Sequence, residues 1–270
     1  MVHHVPTVTL IGTGVMGEAI LGSLTDAVGA DRVRIRDDRP EHGVRVAERY
    51  GVTWCESNGE AVEGADVVVI AVKPKDVDAL LAQIGPALAA GTVLVSVAAG
   101  ITTARLARGV GAPVPVVRVM PNTPATIGRG MSVMSPGEHT SDEHLDLVAE
   151  LLAGTGRVAR VDEGRQDAVT AISGSGPAYV FYLIESMARA GVAGGLDPEF
   201  ALLLARETVA GAAMMAAASE DDPATLRRNV TSPGGTTEAA IAELDARDVR
   251  GAIGAAAEKA WLRAAELGRE

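Results

Sequence analysis

Several residue types are scarce in this 270-residue chain, and each scarcity excludes a class of protein. Cysteine occurs once, at Cys55. A single thiol makes neither an intrachain disulfide nor a cysteine-only metal site, and it fits a reducing, cytoplasmic location. Aromatic residues are only 3% of the chain, too few for a platform on which bases stack. Cationic residues are outnumbered, 24 Lys and Arg against 35 Asp and Glu, for a net charge of −11. That balance excludes the basic field that nucleic acid or an anionic membrane requires, yet allows an anionic small molecule in a local pocket. The five histidines stand at positions 3, 4, 42, 139 and 144. The adjacent His3 and His4 read as solvated side chains. No His, Asp and Glu cluster has metal-ligand spacing, and no serine has a visible His–carboxylate pair, which argues against both metal catalysis and a hydrolytic triad. No basic segment followed by an apolar one opens the chain, so no signal peptide is read. The uncharged stretch Ala79–Ala104 contains Gln83, Gly85, Pro86, Gly91, Ser96 and Gly100. It reads as helix end, turn, buried strand and loop rather than a membrane span.

What is present is an alternation. Strands are predicted at Val8–Ile11, Val33–Ile35, Asp66–Val72, Thr92–Val97 and Val114–Val119, with helices at Glu18–Val28 and Glu41–Tyr50 between them. The run DVVVIAV is continuously apolar, as a strand covered on both faces of a parallel sheet must be. The pattern predicts a doubly wound α/β sheet. From about Gly164 the chain becomes rich in Ala, Leu and Glu and reads as helical. Asp197-Pro198 and Asp222-Pro223 are helix starts, each with Asp as N-cap and Pro at the first helical position. Ala201–Ala218 is apolar on most faces and demands burial nearly all round, which points to a partner subunit. Met214 and Met215 in it read as packing side chains. The expected domains are therefore 1–160, an α/β sheet domain, and 161–270, a helical domain.

Gly12-Thr13-Gly14-Val15-Met16-Gly17 matches G-x-G-x-x-G, directly after a strand and opening a helix. Such glycines allow a tight turn and close approach of the backbone to a pyrophosphate, which the free amides at the helix start attract. The second strand ends in Arg36-Asp37-Asp38-Arg39-Pro40. An Asp here would accept hydrogen bonds from ribose hydroxyls and favour NAD, whereas an Arg would pair with a 2′-phosphate and favour NADP; the residues present leave both open. Lys73, in Ala71-Val72-Lys73-Pro74, follows a strand end and so is expected at the ligand crevice.

Thr231-Ser232-Pro233-Gly234-Gly235-Thr236-Thr237-Glu238 sits between two helical segments. Two glycines, four hydroxyls and a helix N-terminus describe an anion cradle without a basic residue, suited to one carboxylate. Ser173-Gly174-Ser175-Gly176-Pro177-Ala178-Tyr179 reads as a third small-residue turn before a helix.

Together these stretches resemble one family, the pyrroline-5-carboxylate reductases of proline biosynthesis. The resemblance is carried by IGTGVMGEAI (11–20), AVKPKDV (71–77), VRVMPNTPATIGRGMSVM (117–134), AISGSGPAYVFYLIESMARAGVAGGL (171–196) and VTSPGGTTEAAI (230–241). It implies an N-terminal Rossmann-type domain and an all-helical C-terminal dimerisation domain. In similar proteins the helical domains interlock in a homodimer, and dimers assemble further into a decamer. The implied cofactor is NADP, with NADPH favoured and NADH possible. The residues implied to meet it are Gly12, Thr13, Gly14, Val15, Met16, Gly17, Asn58, Ala71, Val72, Lys73, Pro74, Ala99 and Asn122, with Arg39 at the 2′-phosphate. Asp37 and Asp38 depart from the small polar residues usual there. The substrate, 1-pyrroline-5-carboxylate, is implied to meet Ser175, Glu220, Asn229, Ser232, Gly234, Gly235, Thr236 and Thr237, with the Thr237 hydroxyl aimed at the ring nitrogen.

The implied reaction is hydride transfer to the C=N carbon, giving L-proline. An imine is basic enough to be protonated without a strong acid, which explains why no catalytic His or Lys is evident. Two rival readings exist. A β-hydroxyacid-type dehydrogenase expects a lysine on the helix Tyr179–Gly191, but the lysines here are Lys73, Lys75 and Lys259. A dinucleotide-sensing scaffold would tolerate loss of the Ser232–Thr237 cradle, which is intact.

Overall fold

A computed structural model of the chain describes residues 5–268; His3 and His4 lie outside the described residues. Eight strands form one sheet: β1 (Val8–Ile11), β2 (Val33–Arg36), β3 (Thr53–Trp54), β4 (Val67–Ile70), β5 (Val93–Ser96), β6 (Val116–Met120), β7 (Gly130–Pro136) and β8 (Gly156–Arg160). Their spatial order is β3-β2-β1-β4-β5-β6-β7-β8. Every neighbouring pair is parallel except β6 with β7. The five strands expected from apolar runs are β1, β2, β4, β5 and β6. The strands β3, β7 and β8 were not among them.

Six helices accompany the sheet: α1 (Val15–Val28), α2 (Pro40–Tyr50), α3 (Asn58–Val62), α4 (Val77–Ile84), α5 (Thr103–Val110) and α6 (Asp142–Leu152). β4 shows why its sequence is continuously apolar. Val67 and Val69 pack with Leu10, Ile20 and Leu24 of β1 and α1, whereas Val68 and Ile70 pack with Leu80, Leu81 and Leu106 of α4 and α5. Both faces of the strand are thus dry. The uncharged stretch from Ala79 resolves into the end of α4, a turn, β5 and the loop before α5, as its glycines and proline predict.

The remaining helices are α7 (Gln166–Val169), α8 (Gly176–Ala193), α9 (Pro198–Ala218), α10 (Pro223–Asn229), α11 (Thr236–Ala246) and α12 (Val249–Leu267). Asp197 caps α9 by accepting from the Glu199 and Phe200 amides, and Asp222 caps α10 by accepting from the Thr225 amide. Both follow the expected Asp-Pro device. The segment Ser173–Tyr179 is not a turn. A π-helical turn over Thr170–Gly174 leads directly toward α8. A Cβ on Gly174 would lie 2.5 Å from Met120 Cε, the flexible end of a side chain packed against this turn.

The chain forms two compact units. One runs to Gly174 and takes in the chain from Ala260 onward; the other is Ser175–Lys259. The end of α12 belongs to the first unit, where a Cβ on Gly100 would stand 3.3 Å from Leu267 Cβ. In the second unit α9 buries only Ala201 and Ala205, while Leu203, Leu204, Met214 and Met215 lie open. The single chain therefore leaves uncovered the helix that its sequence says must be covered.

Candidate active site

In the parallel part of the sheet all strand C-termini reach the same edge. Ile11 pairs with Arg36 and with Ile70, and Ile70 with Ser96, so the segments that follow β1, β2, β4 and β5 emerge side by side. The sequence order reverses between β1 and β4, and at such a switch point the diverging loops leave a crevice for a ligand. Of the first-unit residues expected to meet a dinucleotide, Gly12–Gly17 follow β1, Arg39 follows β2, Asn58 follows β3, Ala71–Pro74 follow β4, Ala99 follows β5 and Asn122 follows β6.

The three glycines of the turn do three different jobs. Gly12 has φ +96°, and a Cβ on it would come within 2.7 Å of the Ala71 carbonyl oxygen. A Cβ on Gly17 would lie 2.1 Å from the Gly12 carbonyl oxygen, so glycine lets α1 leave the turn at once. A Cβ on Gly14, by contrast, would meet no protein atom within 4 Å. Nothing in the chain requires that glycine, and space left clear above an uncapped helix start is what a pyrophosphate needs. The residues present therefore fit a dinucleotide. Gly14→Ala is expected to leave the melting temperature close to the parent's while weakening dinucleotide binding about 10-fold or more, because a methyl group would stand where backbone must approach phosphate. Gly12→Ala is expected to lower the melting temperature, since strain at such a φ costs about 1–3 kcal/mol before any clash. Thermal melts and equilibrium binding of both variants check the contrast.

Thr13 faces inward and is fully buried. Its N–H and hydroxyl both donate to Asp37 Oδ2, at 2.7 and 2.8 Å. Its carbonyl lies 2.8 Å from His42 Nε2. Thr13 thus holds the turn in place, and it leaves Val15, which is 73% exposed, as the open face of the motif. On Asp37, Oδ1 accepts from the Arg39 amide and Nε, at 3.0 and 3.1 Å. Burial opposes the charge on Asp37, but the Thr13 N–H, the Arg39 guanidinium, the Arg39 N–H and the Thr13 hydroxyl outweigh it. They hold the carboxyl well below the usual carboxylate range. The same pairing raises Arg39. A depressed carboxylate stabilises the fold fully above its unfolded value of about 4 and loses that contribution as pH falls toward the folded value. Unfolding in denaturant at about pH 6 and about pH 3 is expected to show a smaller acid loss for Asp37→Asn than for the parent.

Other expected contacts are placed as follows. Asn122 is engaged within the protein: Nδ2 donates to the Ser173 carbonyl at 3.0 Å, and Oδ1 accepts from the Met131 amide at 2.8 Å, which leaves one N–H and one lone pair. It ties the end of β6 to β7 and to the π-helical turn. Asn58 Nδ2 donates to Gln83 Oε1 at 2.7 Å. Lys73 and Ala99 are exposed at the sheet edge. Sequence reasoning missed His42 and the internal role of Asp37. For Asp37 the signal was an acid at the end of β2, where the sequence offers a ribose acceptor; for His42 there was none.

In the second unit Ser232–Gly235 lie between α10 and α11, directly before a helix as expected. Gly234 has φ +72°, and the Gly235 amide donates to the Ser232 carbonyl at 3.0 Å. Gly235 is the N-cap of α11 and offers no side chain to cap it, so the first-turn amides remain open to an outside acceptor. The Gly234 amide is taken by Glu238 Oε2 at 2.8 Å, a contact the sequence reading did not foresee. Thr236 is exposed and Thr237 half-buried at the head of the helix. Ser175 stands just before α8, Glu220 between α9 and α10, and Asn229 at the last position of α10. Among the described residues no group of three His, Cys, Asp or Glu side chains forms a metal-binding cluster.

A switch-point crevice with a three-glycine turn, followed by an all-helical unit, defines the class: a nicotinamide-dinucleotide oxidoreductase of the Rossmann type. Residues 7–100 match the family model for NADP oxidoreductase, coenzyme F420-dependent, and residues 163–267 match that for pyrroline-5-carboxylate reductase dimerisation. The chain is 41% identical over 267 residues to the pyrroline-5-carboxylate reductase of Corynebacterium melassecola, covering 97% of this chain and 99% of that protein. The solved pyrroline-5-carboxylate reductase of Coxiella burnetii superposes with a TM-score of 0.93 at 33% identity, covering 98% and 99% of the two chains. That of Plasmodium falciparum, solved with NADP bound, gives a TM-score of 0.83 at 28% identity, covering 97% and 98%. The chain belongs to the pyrroline-5-carboxylate reductase family.

Proposed function

We propose that this chain reduces the C=N bond of 1-pyrroline-5-carboxylate to give L-proline, with NADPH as the favoured reductant and NADH accepted. The observation that carries the reading is the pairing, in one chain, of a turn kept clear at Gly14 with an uncapped glycine cradle at Ser232–Thr237. A dinucleotide would be held by the Gly12–Gly17 turn and the α1 amides, with Val72 and Ala99 along the crevice and Arg39 at the adenosine end. When bound, the reduced nicotinamide supplies the hydride.

Everything else falls to the chain's own residues. The open amides at the head of α11 and the hydroxyls of Ser232 and Thr236 fix the substrate carboxylate. Thr237 orients its hydroxyl toward the ring nitrogen and holds the proton that makes the imine a good acceptor. Glu220 and Asn229 border the cradle. Placement of two reactants can contribute roughly 7–11 kcal/mol to lowering a barrier, and it needs no strong acid.

The family model for dimerisation supports self-association. The assembly unit we propose is a homodimer formed through the helical unit, with further assembly into a decamer, in a reducing cytoplasm that suits the buried Cys55 thiol. The decisive experiment is oxidation of NADPH by the purified protein on addition of pyrroline-5-carboxylate, run in parallel with NADH. Binding of either dinucleotide without turnover would instead mark a sensor.

A further inference from the structure

An acid at the end of the second strand normally accepts the ribose hydroxyls of NADH. We infer that Asp37 does the opposite: it is a positioning residue that aims Arg39 at the 2′-phosphate of NADPH and couples that site to the glycine turn. This inference rests on the proposed use of a nicotinamide dinucleotide.

The geometry leaves Asp37 nothing to offer a ribose. Its side chain is 3% exposed. Oδ2 accepts from the Thr13 amide and hydroxyl and lies 3.5 Å from Arg39 Nη2, while Oδ1 accepts from the Arg39 amide and Nε. Five donors on two oxygens exhaust the lone pairs of a carboxylate. Arg39 is different. Its side chain is 59% exposed, and Asp37 engages it through Nε and, more distantly, Nη2. The outer edge of the planar fork stays free for a second anion, in the bidentate manner that suits phosphate. Asp38, 92% exposed, lies 3.7 Å from Arg39 Nε and does not close that edge. Arg36 does not compete for the phosphate: its guanidinium stacks 4.9 Å from the Trp54 ring and donates to the Asp37 carbonyl.

One carboxylate thereby joins the residue between the first two glycines of the pyrophosphate turn to the residue that faces the 2′ position. Removing its charge should have two separable effects. Loosening of Thr13 would act on both dinucleotides alike, because both carry the pyrophosphate. Release of Arg39 would act on NADPH alone.

The test is a double-mutant cycle read by equilibrium dissociation constants for NADPH and NADH, measured without substrate. Asp37→Asn is expected to weaken NADPH about 10-fold or more beyond its effect on NADH, the loss of one aimed charge-assisted contact. In an Arg39→Ala background that excess is expected to vanish, leaving Asp37→Asn with equal effects on both cofactors. Equal weakening in the parent background would reduce Asp37 to a structural brace and overturn the inference. So would tighter NADPH binding by Asp37→Asn, or an excess that persists without Arg39. If Asp37→Asn does not fold, Arg39→Lys decides at an exposed position. It keeps the charge but lacks the Nε–Nη fork that Asp37 holds, so a severalfold weaker NADPH with unchanged NADH is expected, and parental NADPH affinity would overturn the inference. Failure of the underlying reading looks different, because the unmutated chain would then bind neither dinucleotide.

Discussion

Thr237→Ala is expected to lower turnover by about 100-fold or more while leaving the NADPH dissociation constant within about twofold of the parent, the range expected for loss of a group that places a proton. The structure makes this substitution a clean probe. Thr237 is the second residue of α11, and the N-cap Gly235 makes no side-chain bond, so no cap is removed. Alanine is also a better helix former than threonine, which works against any loss of stability. Thr237→Ser, which keeps a hydroxyl, is expected to recover most of the rate. Turnover of Thr237→Ala equal to the parent's would remove the hydroxyl from the mechanism and leave the cradle a carboxylate holder only. Single-turnover rates at saturating NADPH, beside the binding titration, separate these outcomes.

The second large effect concerns assembly. α9 is long and apolar enough by composition to cross a membrane, yet only 11% of its most apolar window is buried in the single chain. Phe200 is 50% exposed and Met215 61%. Nearby, α8 carries Phe181, Tyr182 and Leu183, also open. Apolar area of this extent in a family whose helical unit bears the dimerisation motif calls for a second copy of the chain. Met215→Glu is expected to convert the assembly to monomers at micromolar concentration. Each lost side chain removes about 1.5–3 kcal/mol of burial, and in a twofold interface it is lost twice, so the dissociation constant rises about 10²–10⁴-fold before the cost of burying two charges is added. Glutamate is a good helix former, so α9 itself should persist. Analytical ultracentrifugation reads the outcome directly, and a Met215→Glu protein that sediments with the parent would place the interface elsewhere.

Legibility from the sequence varied with the physics of each element. β4 was plain because a strand covered on both faces must be apolar at every position. β7 was not, although it lies in the same sheet. Its Ser132 and Ser135 are buried, and Ser135 is satisfied only by the Val161 carbonyl and by Gln166 from α7. Buried serines break an apolar run, and their partners are distant in the chain. Ser173 and Gly174 read as a turn in the sequence but end a π-helical turn for a related reason: they pack against Met120 and accept from Asn122 across the unit, contacts that lie far off in the chain. Both glycine turns before helices were legible, because their glycines and helix starts are local devices. The commitments of Thr13, Asp37 and Asn122 were not.

The sequence by itself determined the sheet-then-helices order, the first glycine turn, the Asp-Pro helix caps and the glycine turn that opens α11, since each follows from backbone sterics or periodicity within a short stretch. Only the tertiary structure decided which polar groups remain available. The Asp37 carboxylate looks free in the sequence and is exhausted in the fold, because Thr13 and Arg39 reach it from two different strand ends. Hydrogen-bond capacity is consumed in three dimensions, and a linear string records only that the capacity exists.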